Sequence, residues 1–341
     1  MPSPFLSICI PSYNRTQTLG RLLESIDCDY LDIEIVICED NSPNRAKVRE
    51  IVAGFARTSG YLTHYHENAI NLGYDGNLRR LVERAAGKYI MFMGDDDLFV
   101  PGALIRYVEF LKKNSDKPYV LRSYLINHPD GRIEYFRYLA KSTPLKRGES
   151  TVAWLFKRSV TICGFTISRD EAIKYSTKDL DGTLLYQVYL MSQVCLQNDS
   201  VYCDIPIVNA AQTFKNNTSM FGSSMAEKSR YTPGCISHDN SINFTKAYFE
   251  VATYLDKQHG TTLAIKVQID LSKFSYPFLS IQRKQGIFSF LRYSKRLEKE
   301  VEFGCTYYFY IYKWALVFLG EYICDRIISG IKRVVGHTPN F

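Results

Sequence analysis

The chain has 341 residues, of which 46% are hydrophobic and 23% charged. That composition excludes a disordered or collagen-like polymer and leaves one large domain with an appendage, or two domains. The formal net charge of +7 is spread without one long basic run, so no nucleic-acid partner is demanded, and an anionic small molecule or membrane surface accounts for the sign equally well.

Leu6 to Ile10 is a short apolar run ended by Pro11, which reads as a buried strand. Leu19, Leu22, Leu23 and Ile26 recur at helical spacing. Ile33 to Cys38 is a second apolar strand, and Val48, Ile51, Val52 and Phe55 mark a second helix. Leu62 to His66 gives a third strand, and Leu78, Leu81, Val82 and Ala85 the face of a third helix closed by Gly87. Tyr89 to Met93 is a fourth strand, and Pro101 opens a helix at its first turn. Such βαβα alternation predicts a mainly parallel sheet flanked by helices.

The middle of the chain changes character. Tyr119 to Ile126 and Ile133 to Phe136 flank the turn signal Pro129-Asp130-Gly131, which predicts a hairpin. Ser150 is placed to cap a short helix. Ile162 to Ser168 and Val201 to Thr213 hold further strands, with a helix marked by Leu184, Val188, Met191 and Cys195 between them. The polar stretch after Phe214 suggests a division into an α/β domain over 1–225 and a helical C-terminal region over 226–341.

Nine cysteines contain no C-x-x-C pair. A zinc site has no spacing support, and the set reads as reduced thiols in a reducing compartment. Met1-Pro2-Ser3-Pro4 has neither the charged nor the apolar region of a secretory signal. The expected location is therefore the cytoplasm.

In open α/β sheets ligands bind beyond the carboxyl ends of the strands. Strand one ends in Pro11-Ser12-Tyr13-Asn14-Arg15, strand two in Glu39-Asp40-Asn41-Ser42, and strand four in Gly94-Asp95-Asp96-Asp97. Asn71-Leu72-Gly73 precedes the third helix. All four clusters are expected on one rim. Three consecutive aspartates repel one another unless a cation offsets them. Mg²⁺ or Mn²⁺ suits them, because such ions take one or two carboxylates together with phosphate oxygens. His64 and His66 alternate on a strand with no third ligand spaced to join them, and no phosphate-binding glycine fingerprint is present.

The segments Ser7–Arg15, Val36–Ser42, Asn71–Gly73 and Ala86–Asp97 resemble the successive motifs of family 2 glycosyltransferases with the GT-A fold, in order and at similar spacing. The resemblance covers roughly residues 5 to 215. It implies a Rossmann-like sheet that binds a nucleotide-sugar donor, with UDP preferred and dTDP an alternative. Pro11, Tyr13, Asn14 and Arg15 would line the base and ribose, and Asp40 would accept a hydrogen bond from the base. Asn71 and Gly73 would lie beneath the nucleotide, Asn77 beside the diphosphate, and Asp95 at the ribose. Asp96 would hold the metal with Asp97 beside it. Position 94 is Gly where many relatives have Asp.

The implied reaction is a single displacement with inversion, which needs a base to take the proton of the acceptor hydroxyl. Asp181, and after it Asp179, stand where the family places that base, just before a helix; Asp is equally a helix cap. The acceptor would be a glycan or a lipid-linked oligosaccharide in surface-polysaccharide or O-antigen assembly.

Arg283, Lys284, Arg292, Lys295, Arg296 and Lys299 interleave with Phe288, Phe290 and Leu291 ahead of the aromatic run Tyr307 to Leu319. That run is shorter than the roughly 20 residues of a spanning helix. Segment 282–335 is expected either to lie on the inner face of the membrane or to pack within the protein and pair subunits as a homo-oligomer. Two alternatives to a transferase are a sugar nucleotidyltransferase, disfavoured by the glycine-free loop after strand one, and a non-catalytic sugar- or membrane-binding scaffold.

Overall fold

A computed structural model describes residues 3–30, 32–128, 131, 133–211, 221–234 and 237–335. The first half alternates as the periodicity requires: β1 (Leu6–Ser12), α1 (Thr16–Glu24), β2 (Ile33–Glu39), α2 (Arg45–Thr58), β3 (Leu62–Glu67), α3 (Gly73–Arg84) and β4 (Tyr89–Phe92). After it come β5 (Leu98–Phe99), α4 (Ala103–Lys113), β6 (Tyr119–Asn127), β7 (Ile133–Phe136), β8 (Thr143–Leu145), α5 (Glu149–Phe156), β9 (Phe165–Ser168), α6 (Arg169–Lys174), α7 (Tyr186–Gln197) and β10 (Ser200–Ala211). Five helices follow: α8 (His238–His259), α9 (Leu263–Lys273), α10 (Tyr276–Arg283), α11 (Ile287–Glu300) and α12 (Tyr307–Val335).

One sheet runs in the order β3-β2-β1-β4-β9-β6-β10-β5. The β1 to β4 part is parallel, and β9 enters antiparallel between β4 and β6. The expected hairpin forms, with Tyr124 opposite Phe136; Pro129 and Asp130 lie outside the described residues. Ser150 caps nothing: α5 starts at Glu149 after Gly148, whose φ of 121° a side chain would resist.

Central strands such as β1 and β2 are rich in apolar residues on both sides because both faces are covered. Along β1, Cys9 faces one core while Leu6, Ile8 and Ile10 face the other, and β2 divides Val36 and Cys38 from Ile33, Ile35 and Ile37. The second of these cores is roofed by α1, α2 and α4. The first contains Leu78 and Leu81 of α3 and Tyr186 and Leu190 of α7, and it continues without a break into Val251, Leu263, Tyr293 and Leu316 of the C-terminal helices.

Register puts the motifs together. Ser12 pairs with Glu39, and the Met93 amide donates to the Cys9 carbonyl, so the segments leaving β1, β2 and β4 emerge at one rim.

Candidate active site

That rim holds a cleft of about 370 Å³. Its lining includes Pro11, Tyr13, Arg15, Asp40, Asn71, Gly73, Asn77, Asp95 and Asp96, nine of the side chains singled out in the sequence. Asn14, Asp97, Asp179 and Asp181 are not among them.

Arg15 crosses from the end of β1 to the end of β4. Its guanidinium lies 3.2 Å from Asp95 and also pairs with Asp96. Burial drives the Asp95 carboxyl up to about 7, although Arg15 and the Tyr13 amide pull it the other way. Burial also opposes the Arg15 charge, but the two aspartates outweigh it and hold the guanidinium protonated. Asn14 turns outward with φ of 61° and accepts from Asn44 at 2.7 Å.

Asp40 sits at the bottom of the cleft. Asn68 and the Leu72 amide each donate to one of its oxygens at 2.8 Å, and the Gly73 amide to the other at 2.8 Å. Burial pushes its carboxyl up to about 6, against these three donors. Each carboxylate oxygen has room for two bonds, so one site on Oδ2 is left beside its partner Gly73. Asn77 carries the same network inward: it accepts from Asn68 at 3.0 Å and donates to the Cys38 carbonyl at 3.0 Å.

Gly73 opens α3 at φ of 78°, a conformation that strains any residue with a side chain. An added Cβ would strike Ser224 and lie 2.6 Å from Glu227. Glu227 is 2% exposed and lines the cleft. It accepts from the Tyr74 amide at 2.6 Å and the Gly222 amide at 2.8 Å, while Ser223 accepts from Asn71 at 3.0 Å. Sequence reading missed this strap, because residues 221–234 carry turn residues and no period, and nothing local announces a contact with position 73.

Gly94 is closely surrounded by side chains. A Cβ there would lie 3.1 Å from both Asp97 and the Cys163 sulfur, and 3.2 Å from Asp96. Asp97, expected beside the metal, instead turns inward onto Cys163, with which it is in contact. Among the described residues no three His, Cys, Asp or Glu side chains converge as a ready metal site. Asp95 and Asp96 still fit a hard divalent ion, because they already converge on a cation, the Arg15 guanidinium, and such ions complete their shell with phosphate oxygens.

The pair before α7 is used otherwise. Asp181 makes a two-pronged bridge to Arg79, with the second prong at 2.7 Å, and Asp179 accepts from Tyr254 at 2.6 Å. Neither caps α7 with its side chain. Asp75 of α3 does so from across the core, accepting from Gly182, Leu184 and Tyr186 amides at 2.9, 2.8 and 3.0 Å. This leaves Leu184, a cleft residue, at φ of 63°. Both carboxylates are thus engaged by other side chains, and neither lines the cleft.

Residues 7–176 match the sequence profile of Glycosyl transferase family 2. They form a family 2 glycosyltransferase domain. The transferase domain is similar to GalNAc(5)-diNAcBac-PP-undecaprenol beta-1,3-glucosyltransferase of Campylobacter jejuni, at 28% identity over 36% of this chain and 39% of that protein. It is also similar to abequosyltransferase RfbV of Salmonella typhimurium, at 30% identity over 33% of this chain and 34% of that protein. Each match therefore spans little more than a third of the relative. Among solved structures, S. aureus TarS 1-349 in complex with UDP-GlcNAc aligns with a TM-score of 0.56 at 16% identity, over 87% of this chain and 77% of that one. A Pyrobaculum calidifontis mannosyltransferase in complex with GDP-Man and Mn²⁺ aligns at 0.52 and 12% identity, over 97% and 88%. At these identities the likeness carries the fold, which is GT-A.

Proposed function

We propose that this chain is an inverting glycosyltransferase that moves a sugar from a nucleoside-diphosphate donor, UDP or dTDP, to a hydroxyl of a glycan or lipid-linked oligosaccharide in surface-polysaccharide assembly. The observation that carries it is a cleft whose recess at Asp40 and Asn71 adjoins Arg15, Asp95 and Asp96. The remaining acceptor site on Asp40 Oδ2 suits the ring N–H that uracil and thymine share. Ser12, whose buried hydroxyl has no protein partner, belongs to the same lining. The two relatives named above, both called glycosyltransferases, support the reaction class.

Asp96, with Asp95, would hold Mn²⁺ or Mg²⁺. When bound, the ion offsets the negative charge that grows on the departing diphosphate. Arg15 is free to turn from the aspartates to that diphosphate, which keeps a positive charge at the leaving group. Asp181 we assign to positioning: through Arg79 it fixes the 177–186 turn, whose Leu184 closes one side of the cleft.

We also propose that α12 rests on an anionic membrane surface. Tyr307, Ile311, Trp314 and Phe318 follow one another at helical spacing, each about half or more exposed, and Phe288, Arg292, Lys295 and Lys299 form an exposed stripe on α11. No described helix is long and apolar enough to cross a membrane. An apolar face with basic neighbours fits an interfacial site.

Calorimetric titration of UDP and dTDP, each with and without Mn²⁺, tests the transferase reading. Micromolar, Mn²⁺-dependent binding of one of them is expected; binding of neither overturns it.

A further inference from the structure

The cleft changes chemistry along its length. One end is charged and polar, with Arg15, Asp40, Asn71, Asn77, Asp95 and Asp96. Past Gly94 the described lining becomes Val160, Ile162, Cys163, Leu184 and Phe244. Thr161 brings the one polar side chain of the Val160–Cys163 segment; Tyr74, whose ring meets Phe221 edge-on at 5.5 Å between centroids, stands with Ser223 and Glu227 on the strap side of the lining.

The wall starts where the diphosphate must end. Cys163 is the joint: a Cβ on Gly94 would lie 3.1 Å from its sulfur, and the sulfur meets Asp97. A sugar joined to a diphosphate at Asp95 and Asp96 therefore lies against residues 160–163.

Main-chain oxygens of that segment are no substitute for polar side chains. The Val160 carbonyl accepts from Gln187 at 2.6 Å and the Thr161 carbonyl from Arg122 at 2.9 Å. The Ile162 carbonyl accepts from the Phe165 amide at 2.7 Å, and the Cys163 carbonyl from Arg122 at 2.7 Å. Each already accepts one donor from inside the protein, and Arg122 and Gln187 are both 0% exposed, so at most one acceptor site per carbonyl is left to the cleft. A carbinol pressed on this wall would lose water and gain little in return. A methyl group would lose nothing.

We infer that the donor sugar is a 6-deoxyhexose whose C6 methyl packs on the Val160–Cys163 wall. The hydroxymethyl arm is the sugar group that extends farthest from the ring, and replacing its oxygen keeps the ring hydroxyls free to meet Thr161, Tyr74 and the charged end. This inference rests on the proposed donor-binding role of the cleft. An apolar pocket rejects an added hydroxyl by roughly 10- to 100-fold, which sets the scale of the preference.

The test uses the full chain with Mn²⁺ and matched pairs of UDP- and dTDP-sugars, gluco and galacto, that differ only in the oxygen on C6. Calorimetry is expected to show the 6-deoxy member binding at least tenfold more tightly in one pair. Replacing Ile162 by Ser (I162S) should shrink that ratio toward one, by offering the carbinol a partner. If UDP or dTDP binds alone but the 6-deoxy member binds no better in any pair, the donor inference falls and the transferase reading stands. If no nucleotide binds, the transferase reading falls and takes this inference with it.

Discussion

Arg15 stands 3.2 Å from Asp95 and also pairs with Asp96, so one cation from the end of β1 neutralises two carboxylates at the end of β4. Arg15 thereby screens the two carboxylates from one another's full repulsion. The Arg15→Ala substitution should lower affinity for the recognised nucleoside diphosphate at least tenfold, with Arg15→Lys recovering part of it. Asp96→Ala should stay folded yet lose the Mn²⁺-dependent rise in melting temperature that the nucleotide gives the parent protein. An undiminished Mn²⁺ response in Asp96→Ala would remove Asp96 from the metal site.

Asp181 tests whether position or proton transfer matters in the loop before α7. Its bridge to Arg79 is partly buried, with side-chain exposures of 24% and 10%. Asp181→Asn should cost about 2 kcal/mol of stability, between the values of exposed and buried pairs. It should reduce kcat by less than a hundredfold, the low end of what a lost general base costs. A folded variant with kcat down by ten-thousandfold would instead make Asp181 the base.

Acidification should help one part of the molecule. Burial raises the Asp75 carboxyl to about 7, against the Leu184 and Tyr186 amides. The folded chain thus holds a proton that the unfolded chain releases near the ordinary aspartate value of about 4. Stability from this group is full below about pH 4 and is lost as pH rises through about 7. Asp40, raised to about 6, acts in the same direction. Urea unfolding of the parent and Asp75→Asn between pH 4.5 and 8 should show the parent's advantage shrinking as pH rises. A difference independent of pH would contradict the shift.

Gly73 permits no side chain, for reasons of conformation and of space. Gly73→Ala should cost about 1–3 kcal/mol through the strained backbone and weaken nucleotide binding by displacing Glu227. Glu227→Gln, which keeps the shape, should affect binding less. Equal affinities in Gly73→Ala and the parent would mean that the strap over Gly73 does not shape the recess.

The α12 face is accessible to direct assay. Replacing Trp314 and Phe318 by Ser should reduce sedimentation with vesicles containing anionic lipid at least tenfold while leaving nucleotide affinity unchanged. Unaltered sedimentation, or a change from dimer to monomer instead, would assign that face to protein rather than lipid.

Much of the site was legible because βα alternation fixes where strand ends lie. Once β1, β2 and β4 are parallel neighbours, Arg15, Asp40, Asp95 and Asp96 must meet. What escaped were partners chosen by tertiary packing. Arg79 and Asp181 are 102 residues apart, and Asp75 caps a helix that begins 111 residues later. The expectation of a base at Asp181 could not include the arginine that holds it, because residue type and place in the chain say nothing of Arg79. Asp97 looked like Asp96 because adjacent residues share a motif, and nothing in the motif announces the Cys163 sulfur, 66 residues away, that Asp97 meets.

The unbroken core between the sheet and the last five helices has a practical consequence. Leu78 of α3 and Leu316 of α12 belong to one apolar body, so heating should melt both in a single calorimetric peak. The sheet-bearing half is therefore no portable cassette. A chimera that joins two relatives near residue 225 would set mismatched helices against the face of α5 and α7 and precipitate. Exchange confined to surface loops would keep that face covered.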